Sequence, residues 1–170
     1  MKTDQLVAGV LNEVRAVYAE LANRPVERQC RLRTECCQFH LTGLTPELTK
    51  GEALLAAKAV RATGRKSLPA RTDGACPLLH PVTGRCLIYA DRPFGCRTHF
   101  CAAAGGLIPR KEVLDLIRRL EAVDRQLGGN GPHQIEEAIT AALGEERFAA
   151  ETSRQSRGWN RSTKANRGCG

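Results

Sequence analysis

The segment Cys76-Pro77-Leu78-Leu79-His80-Pro81-Val82-Thr83-Gly84-Arg85-Cys86-Leu87-Ile88-Tyr89-Ala90-Asp91-Arg92-Pro93-Phe94-Gly95-Cys96-Arg97-Thr98-His99-Phe100-Cys101 decides how the chain is read. Pro77, Pro81, Gly84, Pro93 and Gly95 punctuate it too densely for a helix. Its cysteines have regular gaps: nine residues between Cys76 and Cys86, nine between Cys86 and Cys96, and four between Cys96 and Cys101. Thr83-Gly84-Arg85 predicts a turn, and residues 86–89 predict a short strand. Upstream stand Cys30 and the adjacent pair Cys36-Cys37, in a stretch, 26–42, with no clean hydrophobic period. That stretch reads as an irregular, ligand-bearing loop. Seven of the eight cysteines thus fall between residues 30 and 101, and Cys169 stands apart at the end.

Several thiolates held close together by short segments suit zinc or an iron–sulfur cluster, both commonly bound by four cysteines. One or two cysteines would read as small buried hydrophobes. Seven in this pattern favour metal, with Cys30, Cys36, Cys37, Cys76, Cys86, Cys96 and Cys101 as the candidate ligands. Structural disulfides are the next alternative; the C-x-x-C spacing of a redox dithiol is missing. Seven is not a multiple of four, so one four-ligand site with spare thiols is the economical reading. A second site could enlist His40, three residues after Cys37, or His99, between Cys96 and Cys101. Arg92 and Arg97 flank Cys96 and could offset the charge of clustered thiolates.

The strings Cys36-Cys37, Cys76-Pro77-Leu78 and, above all, the C-x-I-Y-x-x-R-P-x-x-C-R run from Cys86 to Arg97 resemble the YkgJ-type cysteine-cluster family. The resemblance covers roughly residues 30–101 and implies a zinc- or iron-chelating domain, with a four-iron cluster (4Fe–4S) expected ahead of Zn²⁺. Family members typically open with C-x-x-C before the pair, whereas the inner position here is Arg33.

Around this core the pattern is helical. Over residues 4–22, Leu6, Val7, Val10, Leu11, Val14, Val17, Tyr18 and Leu21 recur at spacings of three and four, and Pro25 lies beyond the end. Thr45-Pro46-Glu47 predicts a second helix start, with Thr45 as N-cap, Pro46 in the first turn and Gly64 as the stop. A third helix follows Pro109 with Val113, Leu116, Ile117, Leu120 and Val123 inward, ending at Gly128-Gly129. A fourth, over 132–143, places Ile135, Ile139 and Leu143 on one side. The expected fold is mainly α, small and irregular, with about four helices around a loop-borne cysteine metal site. The expected division is a metal-binding domain over 1–151, with a site-bearing core (30–101) and a helical C-terminal part (109–144), and a basic, disordered tail over 152–170.

The 170 residues are 42% hydrophobic and carry a net charge of +8. Arg154, Arg157, Arg161, Lys164 and Arg167 supply five of these charges, leaving +3 for residues 1–151. The charge is therefore weak support for a nucleic-acid partner. No run reaches the roughly 18 apolar residues of a membrane span. Asp4, Glu13 and Arg15 interrupt the first apolar stretch, so no signal peptide and a cytoplasmic setting are expected. No Walker loop, G-x-G-x-x-G, H-E-x-x-H or G-x-S-x-G occurs. The reading is a metal-binding structural, redox or accessory module, with no catalytic residues assigned and its protein partner open. The alternatives are an oxidoreductase using the cluster or thiols, and a nucleic-acid-associated zinc protein using the tail.

Overall fold

The computed structural model describes residues 2–25, 34–101 and 104–145. Cys30, Arg33, Cys169 and the basic tail lie outside the described residues. The fold is mainly helical. α1 spans Lys2–Asn23, α2 Phe39–Thr42, α3 Lys50–Ala62, α4 Phe94–Thr98 and α5 Leu114–Gln126; a last helix, α6, occupies 135–145. Two short strands, β1 (Glu47–Leu48) and β2 (His133–Gln134), pair antiparallel, with Glu47 opposite Gln134 and Leu48 opposite His133.

The periodic apolar residues form the helices, and their stripes form the core. On α1, Val10, Leu11, Val14, Val17, Tyr18 and Leu21 are buried, while Leu6 is half exposed at the outer end of the stripe. α1, α3 and α5 pack on one another. They approach closely at Gly51, where a Cβ would stand 2.5 Å from Val123 Cγ1 and 3.1 Å from Val14 Cγ2. From α5, Leu116, Leu120 and Val123 enter this core, and Ile135, Ile139 and Leu143 of α6 join it. Across the surface of the α1–α5 contact, Arg119 pairs with Glu13 and Glu20, and Arg24 with Glu20 and Asp115. α6 is tied to α3 by Lys50–Glu145 (3.2 Å) and by Arg61 Nη2 donating to the Leu143 carbonyl (2.7 Å).

Four local expectations are corrected. α3 begins at Lys50 with Thr49 as N-cap, not at Thr45. Residues 47–48 are taken by the β1 ladder, and Glu52 serves the later start: Thr49 N–H and Thr49 Oγ both donate to Glu52 Oε2, at 3.1 and 2.9 Å. The same ladder delays α6 to residue 135, because His133 and Gln134 are strand and Ile135 N–H donates to the Pro46 carbonyl (3.0 Å). Residues 86–89 form no strand: Cys86 makes one antiparallel bridge to Leu79, after which Tyr89–Asp91 is a 3₁₀ turn. The punctuated segment also contains a helix after all, since Pro93 stands ahead of α4, where a missing N–H costs nothing. No helix among the described residues is long and apolar enough to cross a membrane.

Candidate metal centre

Each cysteine is held by a different local device. Cys36 and Cys37 lie in a 3₁₀ turn, Glu35–Cys37, entered through Thr34 at φ 59°. Thr34 is the one non-glycine with positive φ among the described residues, a strained conformation for a β-branched side chain. The Cys37 carbonyl accepts from Cys76 N–H at 2.7 Å, which brings the two segments together. Cys76 and Cys86 flank a hairpin-like loop closed by Leu87 N–H to the Leu78 carbonyl and His80 N–H to the Arg85 carbonyl, both 2.8 Å. Arg71 braces that loop: Nη1 donates to the Leu79 carbonyl (2.8 Å), and Nε pairs with Asp73 Oδ1 (2.8 Å), which also accepts from Ala75 N–H (3.2 Å).

Cys96 rides on α4, whose first turn is anchored by a buried carboxylate. Phe94 N–H donates to Glu52 Oε1 at 2.8 Å, and Tyr18 Oη donates to the same oxygen at 3.1 Å. Glu52 therefore joins α1, α3 and the cysteine-bearing α4 through four hydrogen bonds. Burial pushes its pKa up, against the pull of the hydrogen bonds it accepts. Tyr18, buried beside it, is also pushed well up, first by burial and then by the Glu52 charge.

These devices converge. Cys36, Cys37, Cys76, Cys86 and Cys96 all line one cavity of about 530 Å³, with Phe39, Leu78, Tyr89, Arg92 and Ile135 among its walls. His99 also lines it. Cys101 is half-buried and does not, and His40 is exposed and packs beside Gly74. His80 caps its own turn, Nδ1 accepting from Thr83 N–H at 3.1 Å, and His133 contacts Asn130 at 2.7 Å.

The thiols are of two electrostatic kinds. Cys36 and Cys37 place their sulfurs 4.0 Å apart. The Cys37 thiol, donating to its neighbour, holds Cys36 down to about 6, with Arg92 acting in the same direction. That shared proton, together with burial, drives Cys37 up. Burial also pushes Cys76 up to about 12, and raises Cys86 and Cys96. A cluster of buried thiols kept neutral by desolvation is the environment in which a bound cation has most effect, because a coordinated thiol is deprotonated outright. The donor set thus fits a thiophilic metal in its chemistry. Among the described residues, no three Cys, His, Asp or Glu side chains already surround one ion-sized point; the sulfurs are spread around the cavity walls.

Sequence reasoning found every cysteine in the cavity, and missed Glu52 and the Arg71–Asp73 brace. The signal for Glu52 was present as Thr49-x-x-Glu52, a capping-box spacing masked by the competing Thr45-Pro46-Glu47. A family model named CxxCxxCC and described as "Putative zinc- or iron-chelating domain" matches residues 28–117, more than half of the chain. No curated protein and no solved structure was found to match it.

Proposed function

The chain belongs to this zinc- or iron-chelating, YkgJ-type CxxCxxCC family, and from that premise we propose that it holds an iron–sulfur cluster, or failing that a zinc ion, through its clustered cysteines. It would then act as a structural, redox or accessory module. The observation that carries the reading is the convergence of Cys36, Cys37, Cys76, Cys86 and Cys96, from three separated segments, on one cavity. These five are the proposed donors. The set proposed from sequence also includes Cys30, outside the described residues, and Cys101, which does not line the cavity. The unit that carries the site is proposed to be residues 1–151, with 152–170 as a basic appendage.

One observation favours a cluster over a single ion. Zinc with four thiolates draws all its sulfurs to about 2.3 Å from one point. Here five sulfurs share a space of about 530 Å³ without converging on such a point. A bound cluster would supply one-electron chemistry, its potential set by burial and by hydrogen bonds to sulfur. The chain's own residues do the rest. Leu78, Phe39 and Ile135 keep the cavity wall apolar, Arg92 offsets thiolate charge, and Glu52 fixes the helix that presents Cys96.

The test is anaerobic purification of the full chain followed by metal and sulfide analysis and a visible spectrum. Iron with matching acid-labile sulfide and broad absorbance that bleaches on reduction is the expected result. Colourless protein with stoichiometric zinc would support the structural alternative. Metal-free protein with all eight cysteines titrating as free thiols would overturn both.

A further inference from the structure

Arg92 lines not one cavity but two. The second is a smaller pocket of about 140 Å³, lined also by Arg97 and by Arg24, the latter paired with Glu20 and Asp115. Arg97 does not line the cysteine cavity, although Cys96 acts on it electrostatically. Neither Arg92 nor Arg97 forms an ion pair among the described residues; Asp91 acts on Arg97 only from beyond ion-pair range. Two guanidinium groups side by side, half-buried and without a carboxylate partner, repel one another.

Their arrangement is prepared for binding. Arg97 Nε donates to the Arg92 carbonyl (2.7 Å) and Nη2 to the Ala90 carbonyl (2.6 Å), and the guanidinium lies over the Tyr18 ring at 4.3 Å. This fixes the group while leaving Nη1 without a hydrogen-bond partner among the described residues. Among the described residues Arg92 makes no side-chain hydrogen bond, and it lies over the Tyr89 ring at 4.5 Å. Tyr18 Oη donates its proton to Glu52, so that proton is not offered to the pocket. Phe100 and Ile108 complete an apolar wall that strengthens charge interactions inside.

We infer that this pocket is a binding site for a small oxyanion, of phosphate or carboxylate class, held between Arg92 and Arg97 behind the cysteine cavity. A planar guanidinium matches such an anion with paired N–H donors, and the fixed position of Arg97 lowers the entropic cost of binding. The site does not require the metal reading.

The test is isothermal titration of the full chain, metal-loaded and metal-free, with phosphate, sulfate and acetate at constant ionic strength, chloride serving as the control. Saturable binding is expected in both forms, weakened about tenfold or more by Arg97→Gln and by Arg92→Gln. Far-UV circular dichroism checks folding, and the less constrained Arg92 keeps the test decisive if Arg97→Gln unfolds the chain. A preference for phosphate and sulfate over acetate would assign a phosphate-type ligand, and the reverse a carboxylate. Three outcomes would overturn the proposal: no saturable binding by the wild-type protein, binding undiminished in a folded variant, or binding confined to metal-free protein. The last would put the anion among the cysteines. Metal analysis of the same preparations reports separately on the proposed function.

Discussion

The helical frame and the cysteine loops are held by different physics. In the frame, Val14, Val17, Val60, Leu116 and Ile139 are fully buried, and non-directional apolar contact is enough. In the loops, the cysteines are placed by single polar contacts: Glu52 to Phe94, Arg71 to the Leu79 carbonyl, Cys76 to Cys37. The frame tolerates the loss of one contact among many. The loops have few, and a metal that joins them would contribute directly to their folding.

The largest test of that contrast is Cys96→Ser. It is expected to remove most bound metal and to lower the melting temperature of the loaded protein to that of the metal-free form. Metal retained in full by both Cys36→Ser and Cys96→Ser would break the comparison. Leu116→Ala acts on the frame alone and is expected to cost about 2–5 kcal/mol in urea unfolding, with metal per folded molecule unchanged. Parallel loss of metal would mean that frame and loops are one cooperative unit.

Glu52→Gln probes the joint between the two. It keeps the shape but leaves one or more of the donors from Thr49, Tyr18 and Phe94 poorly met, at a cost of about 1–3 kcal/mol. Because burial raises the folded-state pKa of Glu52 above its unfolded value, its contribution is fully present at low pH. That contribution is lost as pH rises through the raised value. The stability gap between wild type and Glu52→Gln should therefore narrow with rising pH, measured by unfolding across the mildly acid to neutral range. A gap that widens would mean that the carboxylate is stabilised in its charged form. The smallest effect is expected from Asp73→Asn. The exposed Arg71–Asp73 pair is screened by salt, so the variant should release metal to a chelator only modestly faster, and only at low ionic strength.

The same contrast explains what was legible in the sequence. α1, α5 and α6 announce themselves because burial selects a repeating side of each helix, and most of the residues the spacing turns inward are buried. The cysteines were legible as residue types. Their grouping was not, because it depends on long-range contacts such as Cys76 to Cys37 that leave no periodicity. The boundary at Thr45 was misread for a related reason: its local capping chemistry is sound, but a two-residue ladder to His133 and Gln134, far along the chain, claims the next residues first. Glu52 reads as an ordinary first-turn helix carboxylate until Tyr18 and Phe94 are seen to meet on it.

That ladder also bears on what counts as the smallest self-sufficient piece of this protein. The family model spans residues 28–117, yet Ile135 forms part of the cysteine cavity and Tyr18 secures the carboxylate behind Cys96. Both side chains come from outside the matched stretch, one from each flank. A fragment trimmed to the matched residues would keep every cysteine of the cavity and lose a piece of wall on one side and a bolt on the other. The recognisable module is thus an insert completed by its surroundings, and two chains sharing the same cysteine pattern can differ in their chemistry through flanking residues that the pattern does not contain.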